Sequence, residues 1–410
     1  GTKEAMPMRR ASMWLAIAIA VVAGTIGTAA PRVAAAVTWE RAAGIELEGA
    51  ARLDGGAVIS GSVLRAGEQH PALLVRRYDA AGGVVWSRTW HPNHTRVDGL
   101  DVAVATDGAV YVVGDVAKAN LEGGGFFLRK YGPGGALKWT RISDGGYGAG
   151  VGTPEISTGV AVRGGRIVIV GHEYACCGQA SYDGWIRSYR PDGALRWRRN
   201  FEVPGEPKRN SDLPLSVAID GTGIYVAGHL EMAYRTDASV RVDTDLVVQK
   251  LGFDGGRRWS WLLTDSGVKD DDTARDVAVR GGRVWVTGDV DGKRGRGGAG
   301  WLGRFTPDGV NRWRTTWGKP SMWIRPHGLA ISPTGEVLVA GTQRDIEDRS
   351  LVVFVRKLWR TGDLVAKDRL DDPRDVGAAD VTTAAGGAYV AGWLELAGEA
   401  HEGRLWRWAI

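Results

Sequence analysis

The sequence predicts an all-β fold: a seven-bladed β-propeller of four-stranded antiparallel blades, its last blade closed by the N-terminal strand. Three observations predict it. One unit recurs through residues 37–410. Each copy alternates short β-branched runs with Gly- or Pro-Asp-Gly-type turns. The last copy lacks a piece that residues near the chain start supply. Short antiparallel strands at a fixed period are the signature of propeller blades.

The unit is clearest at 276–317. Val277–Val279 is a first strand, Arg280-Gly281-Gly282 a tight turn, and Arg283–Thr287 a second strand. A Gly/Arg-rich link leads to a third strand, Trp301–Phe305. Thr306-Pro307-Asp308-Gly309 then turns the chain, because Pro presets φ and Gly accepts the positive φ that other residues avoid. Asn311–Thr315, centred on Trp313, is the fourth strand. Five further copies run from 49–86, 101–139, 159–197, 216–259 and 328–366, the last with Ala366 where Trp is expected. A seventh begins at Asp380 and stops at Ile410 without a fourth strand. Val37-Thr38-Trp39-Glu40-Arg41 carries the fourth-strand pattern Trp-x-Arg, seen also at Trp86-Ser87-Arg88 and Trp139-Thr140-Arg141. It therefore completes blade 7 and pairs edges that would otherwise lie open. Trp39, Trp86, Trp139, Trp197, Trp259 and Trp313 share one register and are expected to pack between blades.

Segments such as SVAIDGTGIYVAGH (216–229) and LVVQKLGFDGGRRW (246–259) resemble the bacterial seven-bladed β-propeller repeat (SBBP-type) family over residues 37–410. The resemblance implies the fold and no particular activity. A looser similarity, in the Gly-x-x-x-Trp strand, is to quinoprotein (PQQ-type) propeller repeats, which usually form eight blades.

The length fits one large domain at 37–410. Residues 1–36 read as an upstream stretch plus a secretory signal peptide: Arg9-Arg10, an apolar run Met13–Ala23, and small residues at Ala34 and Ala36. The expected location is secreted or periplasmic, with no membrane attachment after cleavage. Without that segment the net charge falls from +5 to about +2, so the basic pI argues for no nucleic-acid partner. A monomer is expected.

The links between strands one and two, and between strands three and four, are short and open on one side of the ring. Long links (117–125, 173–184, 230–245, 290–300, 343–350 and 394–403 within blades, 91–98, 143–157, 202–214, 264–274, 318–327 and 371–377 between them) open on the other. That long-loop face, near the channel mouth, is where a site is expected.

Several residues there carry candidate chemistry. The residue after the second-strand Gly is equivalent in each blade: Ser62, Asp115, His172, His229, Asp289, Thr342 and Trp393. Asp115, His172, His229 and Asp289 on four successive blades form a half-ring of acid/base or metal-binding type. The plainer expectation is that each side chain steadies its own loop through backbone hydrogen bonds. His91, His94, Trp323 and His327 are ligand-binding candidates, and Trp90, Trp317 and Trp323 lie where aromatics stack on sugars. Asp270-Asp271-Asp272 offers oxygen ligands for Ca²⁺ but lacks the spacing of an EF-hand. Cys176 and Cys177 are the only cysteines. Adjacent Cα atoms sit about 3.8 Å apart, short of the roughly 4.4 Å at which disulfides begin, so a vicinal bridge is strained. The quinoprotein similarity implies such a pair beside its cofactor.

No Walker loop, Gly-x-Ser-x-Gly elbow or His-Glu-x-x-His motif occurs. The expectation is a binding scaffold for a protein or carbohydrate, with no cofactor. The alternative is an extracytoplasmic enzyme, quinoprotein-like or a hydrolase or lyase, with Ca²⁺ or PQQ as the cofactors in view.

Overall fold

The computed structural model describes residues 36–410 except 43–45, 66, 93–94, 118–123, 144–154, 176–180, 204–210, 237–238, 264–270, 292–297, 320, 346–349, 371 and 397–400. Of 36–42, 175, 181, 232–236, 239–243 and 291 it describes the backbone alone. Residues 1–35, the expected signal segment, lie outside this set.

Seven four-stranded antiparallel sheets form a seven-bladed propeller, with no α-helix among the described residues. Blades 1 to 6 are 46–90, 97–142, 155–200, 212–263, 273–317 and 322–370, each a run of four consecutive strands. Blade 7 joins Val376–Ala384, Gly387–Glu395 and His401–Ala409 to the N-terminal strand Ala36–Ala42. The closure read from the Trp-x-Arg pattern is therefore present, with Trp39 opposite Arg407.

Two expectations about links need correction. Those at 173–184 and 230–245 are largely strand. The ladder in blade 3 continues to Ala175↔Ser181, and in blade 4 to Thr236↔Ser239. Extended pairing satisfies backbone groups that a loop leaves to water, and Val240-Arg241-Val242-Asp243 has the period-two alternation of a strand. The inner strands also begin before the β-branched runs, at Glu46, Val97, Glu155, Asp212, Thr273, Met322 and Val376.

The apolar cores lie in the seams between consecutive blades. At the seam of blades 4 and 5, Tyr225, Leu246 and Val248 pack on Val277, Val284, Trp301 and Phe305. Toward the outer rim four successive seams are clasped by one repeated device. The fourth-strand indole of one blade donates to the second carbonyl of the next blade's turn: Trp86 to Pro133 at 3.0 Å, Trp139 to Pro191 at 3.0 Å, Trp197 to Phe253 at 3.1 Å and Trp259 to Pro307 at 2.9 Å. A cation donates to the same oxygen: Arg77, Lys130, Arg166 and Lys250 respectively. A carbonyl has two lone pairs and accommodates both. The Arg of Trp-x-Arg reaches the same turn, Arg88 to Gly135 and Arg141 to Gly193. In three of these seams the turn glycine, Gly135, Gly255 or Gly309, packs flat on the indole. A Cβ on Gly309, whose φ is +87°, would stand 2.8 Å from the Trp259 ring.

Two stability outcomes follow. Trp259→Ala lowers unfolding free energy by about 3–5 kcal/mol, the cost of deleting a large packed aromatic, measured by chemical denaturation. Removing residues 1–42 lowers the thermal midpoint far more than removing 1–35, since only the longer deletion strips the fourth strand from blade 7.

Candidate functional site

The first strand of every blade lines a central channel of ≈ 520 Å³. Each of these strands carries one β-bulge at the same place, in the half nearer the long links. The extra residue sits between Leu47 and Gly49, Gly99 and Asp101, Ser157 and Gly159, Pro214 and Ser216, Ala274 and Asp276, Pro326 and Gly328, and Ala378 and Asp380. All seven bulged residues face the channel: Glu48, Leu100, Thr158, Leu215, Arg275, His327 and Ala379. A bulge leaves its residue outside the ladder and re-aims the side chain, so seven equivalent backbones present seven different groups in one ring.

The bulge also explains the second-strand glycine. It brings a first-strand carbonyl against that position, so a Cβ on Gly114 or Gly288 would lie 1.9 Å from Asp98 O or Thr273 O, and on Gly228 2.1 Å from Leu213 O.

The residue after each bulge governs the seam beside it. Asp101 accepts from its neighbour Val102 N at 2.6 Å and from Val160 N of blade 3 at 2.7 Å. Asp276 likewise takes Val277 N and Leu329 N of blade 6, and Asp380 takes Val381 N and Ala50 N of blade 1. Ser216 of blade 4 donates to Asp276. The remaining blades have Gly49, Gly159 and Gly328 here, where a Cβ would crowd the next blade. The three aspartates escaped the sequence reading, although each opens the repeated Asp-Val segment at 101, 276 and 380.

The half-ring occupies equivalent places but not one site. Asp115 accepts from Ser157 N of blade 3 at 3.3 Å, and Thr342 from Ala378 N of blade 7 at 3.1 Å. Ser62 donates to Asp98 of blade 2 at 2.9 Å. These side chains hold the next blade's first strand rather than their own loop. Asp289 pairs with the channel-lining Arg275. Burial, then the Arg275 charge, holds the His229 ring down at about 4 and His327 at about 3; His172 is lowered to about 4 by burial alone. His229, Asp289 and His327 thus gather about Arg275, while Asp115 belongs to blade 2. Across the ring, Glu48 is pushed up to about 8 by burial and by Glu46 and Asp98. Carboxyls thus gather at blades 1 and 2, and the Arg275 guanidinium with two neutral imidazoles at blades 4 to 6.

Other candidates fall elsewhere. The His91 side chain is buried, its Nδ1 3.6 Å from Glu68; His94 lies outside the described residues, as do Cys176, Cys177 and Asp270. Asp271 accepts from Thr244 at 3.1 Å, and Asp272 is buried. Among the described residues, no group of three His, Cys, Asp or Glu side chains is placed to hold a metal. Trp90 and Trp317 are wedged in seams under Arg129 and Arg356, and only Trp323, half-buried with Arg325 5.4 Å from its ring centre, stays near the long-loop face.

No protein-family model matches the chain, and neither does any curated protein. Solved structures share the architecture. Raptor from Chaetomium thermophilum is 9% identical over 90% of this chain and 29% of its own, with a TM-score of 0.52. An acylaminoacyl peptidase, solved with Z-Gly-Gly-Phe-chloromethyl ketone, is 9% identical over 88% of this chain and 51% of its own, at 0.51. A puromycin hydrolase is 13% identical over 85% of this chain, at 0.49. This chain spans 50% of that hydrolase. At these identities the likeness shows the propeller fold alone.

Buried carboxyls of the seams and channel set the response to pH. Burial raises Asp115 to about 8, Asp101 to about 7 and Asp276 to about 6. Their backbone hydrogen bonds pull the other way, and burial prevails. Such a group keeps a proton in the folded state that the unfolded chain has released, so stability falls as pH rises toward the folded value. The lowered histidines act oppositely, but only below their ordinary value of 6.5. The thermal midpoint therefore falls between about pH 6.5 and 8.5, and falls less in Asp115→Asn, whose amide oxygen still accepts from Ser157.

Proposed function

We propose that this propeller is a non-catalytic binding scaffold, extracytoplasmic and monomeric, that holds a segment of a protein or glycan at the long-loop mouth of its channel. The observation that carries the reading is the ring of seven bulge-presented side chains. One position per blade supplies an acid, a hydroxyl, a guanidinium, an imidazole and three apolar groups around a space of ≈ 520 Å³. Rigid strands fix these groups, so little freedom is lost on binding, and the volume is that of a typical ligand cleft. The Glu48 carboxyl on one side and the Arg275 guanidinium on the other favour a ligand with both donors and acceptors.

The enzyme reading rests on His172 and His229. Both keep a buried Nδ1 without a partner among the described residues and are neutral at physiological pH, as a general base must be.

The test is a glycan and peptide array probed with the intact protein and with Leu100→Trp and Ala379→Trp, which fill the mouth from two sides. Binding of one ligand class, weakened at least about tenfold in both variants while their thermal midpoints hold, supports the scaffold; a tenfold loss is about 1.4 kcal/mol. Conversion of the bound ligand into product, lost in His172→Ala or His229→Ala, overturns it in favour of an enzyme.

A further inference from the structure

The short-turn face, opposite the channel mouth just described, carries a second feature. In blades 1 and 6 the turn between strands one and two supplies an acid to the third-strand cation: Asp54 to Arg77 at 3.0 Å and Glu336 to Lys357 at 2.7 Å. Blade 5 departs from this. Its turn is Arg280-Gly281-Gly282-Arg283, so Arg304, in register with Arg77 and Lys357, meets guanidiniums instead of a carboxylate. Blade 3 has a similar turn, Arg163 to Arg166, but Ser188 in place of the cation.

The geometry gathers the charges. Arg280 and Arg283 are cross-strand partners, as are Trp285 and Arg304, and Arg304 and Trp313. Cross-strand partners share a sheet face, and so do residues two apart on one strand. Arg280, Arg283, Arg304 and the two tryptophans therefore share the face turned to blade 6. From that blade Arg360 closes in, its carbonyl accepting from Arg304 at 3.4 Å. Arg312 lies beside Trp313 on the exposed edge strand. Burial, and then the charges of Arg283, Arg312 and Arg360, hold the Arg304 guanidinium below its usual range.

Nothing among the described residues neutralises this group. No ion pair joins Arg280, Arg283, Arg304, Arg312 or Arg360 to an acid. Asp363 of the adjoining turn accepts from Thr361, and the Asp308 charge reaches Tyr225 of blade 4. The seam also has surplus donors. Arg304 Nε and Trp313 Nε1 are buried without an acceptor among the described residues, whereas the equivalent indoles of four other blades each find a turn carbonyl.

We propose that this face of blade 5, completed by Arg360, binds a polyanion of closely spaced phosphoryl groups. The guanidinium is a planar fork that takes two oxygens of a phosphoryl group at once. Several such forks held within about one blade width (roughly 10 Å) match a chain of tetrahedral dianions better than a single carboxylate. Trp285, with Arg304 5.8 Å from its ring centre, holds the central fork in place. The site is independent of the channel.

The test uses the whole protein and inorganic polyphosphate, titrated by calorimetry at low and at physiological salt. Saturable binding that weakens steeply with salt is expected. It weakens at least about tenfold in Arg312→Gln/Arg360→Gln, two exposed side chains whose loss leaves the seam packing intact. The control Lys138→Gln/Lys319→Gln removes the same charge on blade 2 and on the long-loop face, and stays within about twofold of the parent. No saturable binding at low salt, an equal loss in the control, or equally tight binding of polyglutamate would each overturn the proposal.

Discussion

The ring is held by a carbonyl oxygen that accepts twice. In four successive seams, one turn carbonyl takes an indole N–H from the preceding blade together with a guanidinium or ammonium, and in three of them the turn glycine lies flat on the same indole. This sets the spacing and tilt of neighbouring sheets from the outside. It also ties two motifs that lie far apart in a repeat, the Pro-Asp-Gly turn and the Trp-x-Arg strand, into one interaction between copies. Each motif is there for the next blade.

The inner edge solves the complementary problem. Seven first strands converge on an axis, and each bulges once, so that one residue leaves the ladder and faces the channel. The next residue either reaches the following blade through a carboxylate, as Asp101, Asp276 and Asp380 do, or is a glycine that lets that blade approach. A serine at 216 extends one of these links. Fold and site are therefore coupled. The bulge that makes the inner seam possible is also what displays Glu48, Arg275 and His327.

Much of this was legible in the sequence. The seven units, the short turns and the split blade follow from repetition and turn chemistry, because a repeat shows each constraint several times. The seam role of the tryptophans was readable for the same reason. The bulges were not, since a single extra residue in a strand leaves no signature in composition, and the inner strands were read as starting after them. Asp115 and Asp289 looked like members of a polar half-ring, and Thr342 shares their register. Register fixes depth in the blade, and at that depth the nearest partner is the next blade's backbone or a neighbouring Arg275. His327 was picked out as a histidine on the right face, but its place in the channel depends on the bulge. The basic face of blade 5 was overlooked because its arginines are scattered over four strands and a neighbouring turn.

The divided blade has a consequence for synthesis. The strand Ala36–Ala42 is made before blades 1 to 6, and its partner His401–Ala409 after them. At ribosomal rates of about 5–20 residues per second, the first strand waits on the order of 20–70 s with one ladder edge unpaired. During that time blades 1 to 6 can stack one upon the next as an open spiral, each needing only its predecessor. Only the strand His401–Ala409 turns the spiral into a ring. The early strand is thus a standing template for any extended segment, including the C-terminal strand of another copy. Partner choice in that interval separates a closed single chain from a domain-swapped pair.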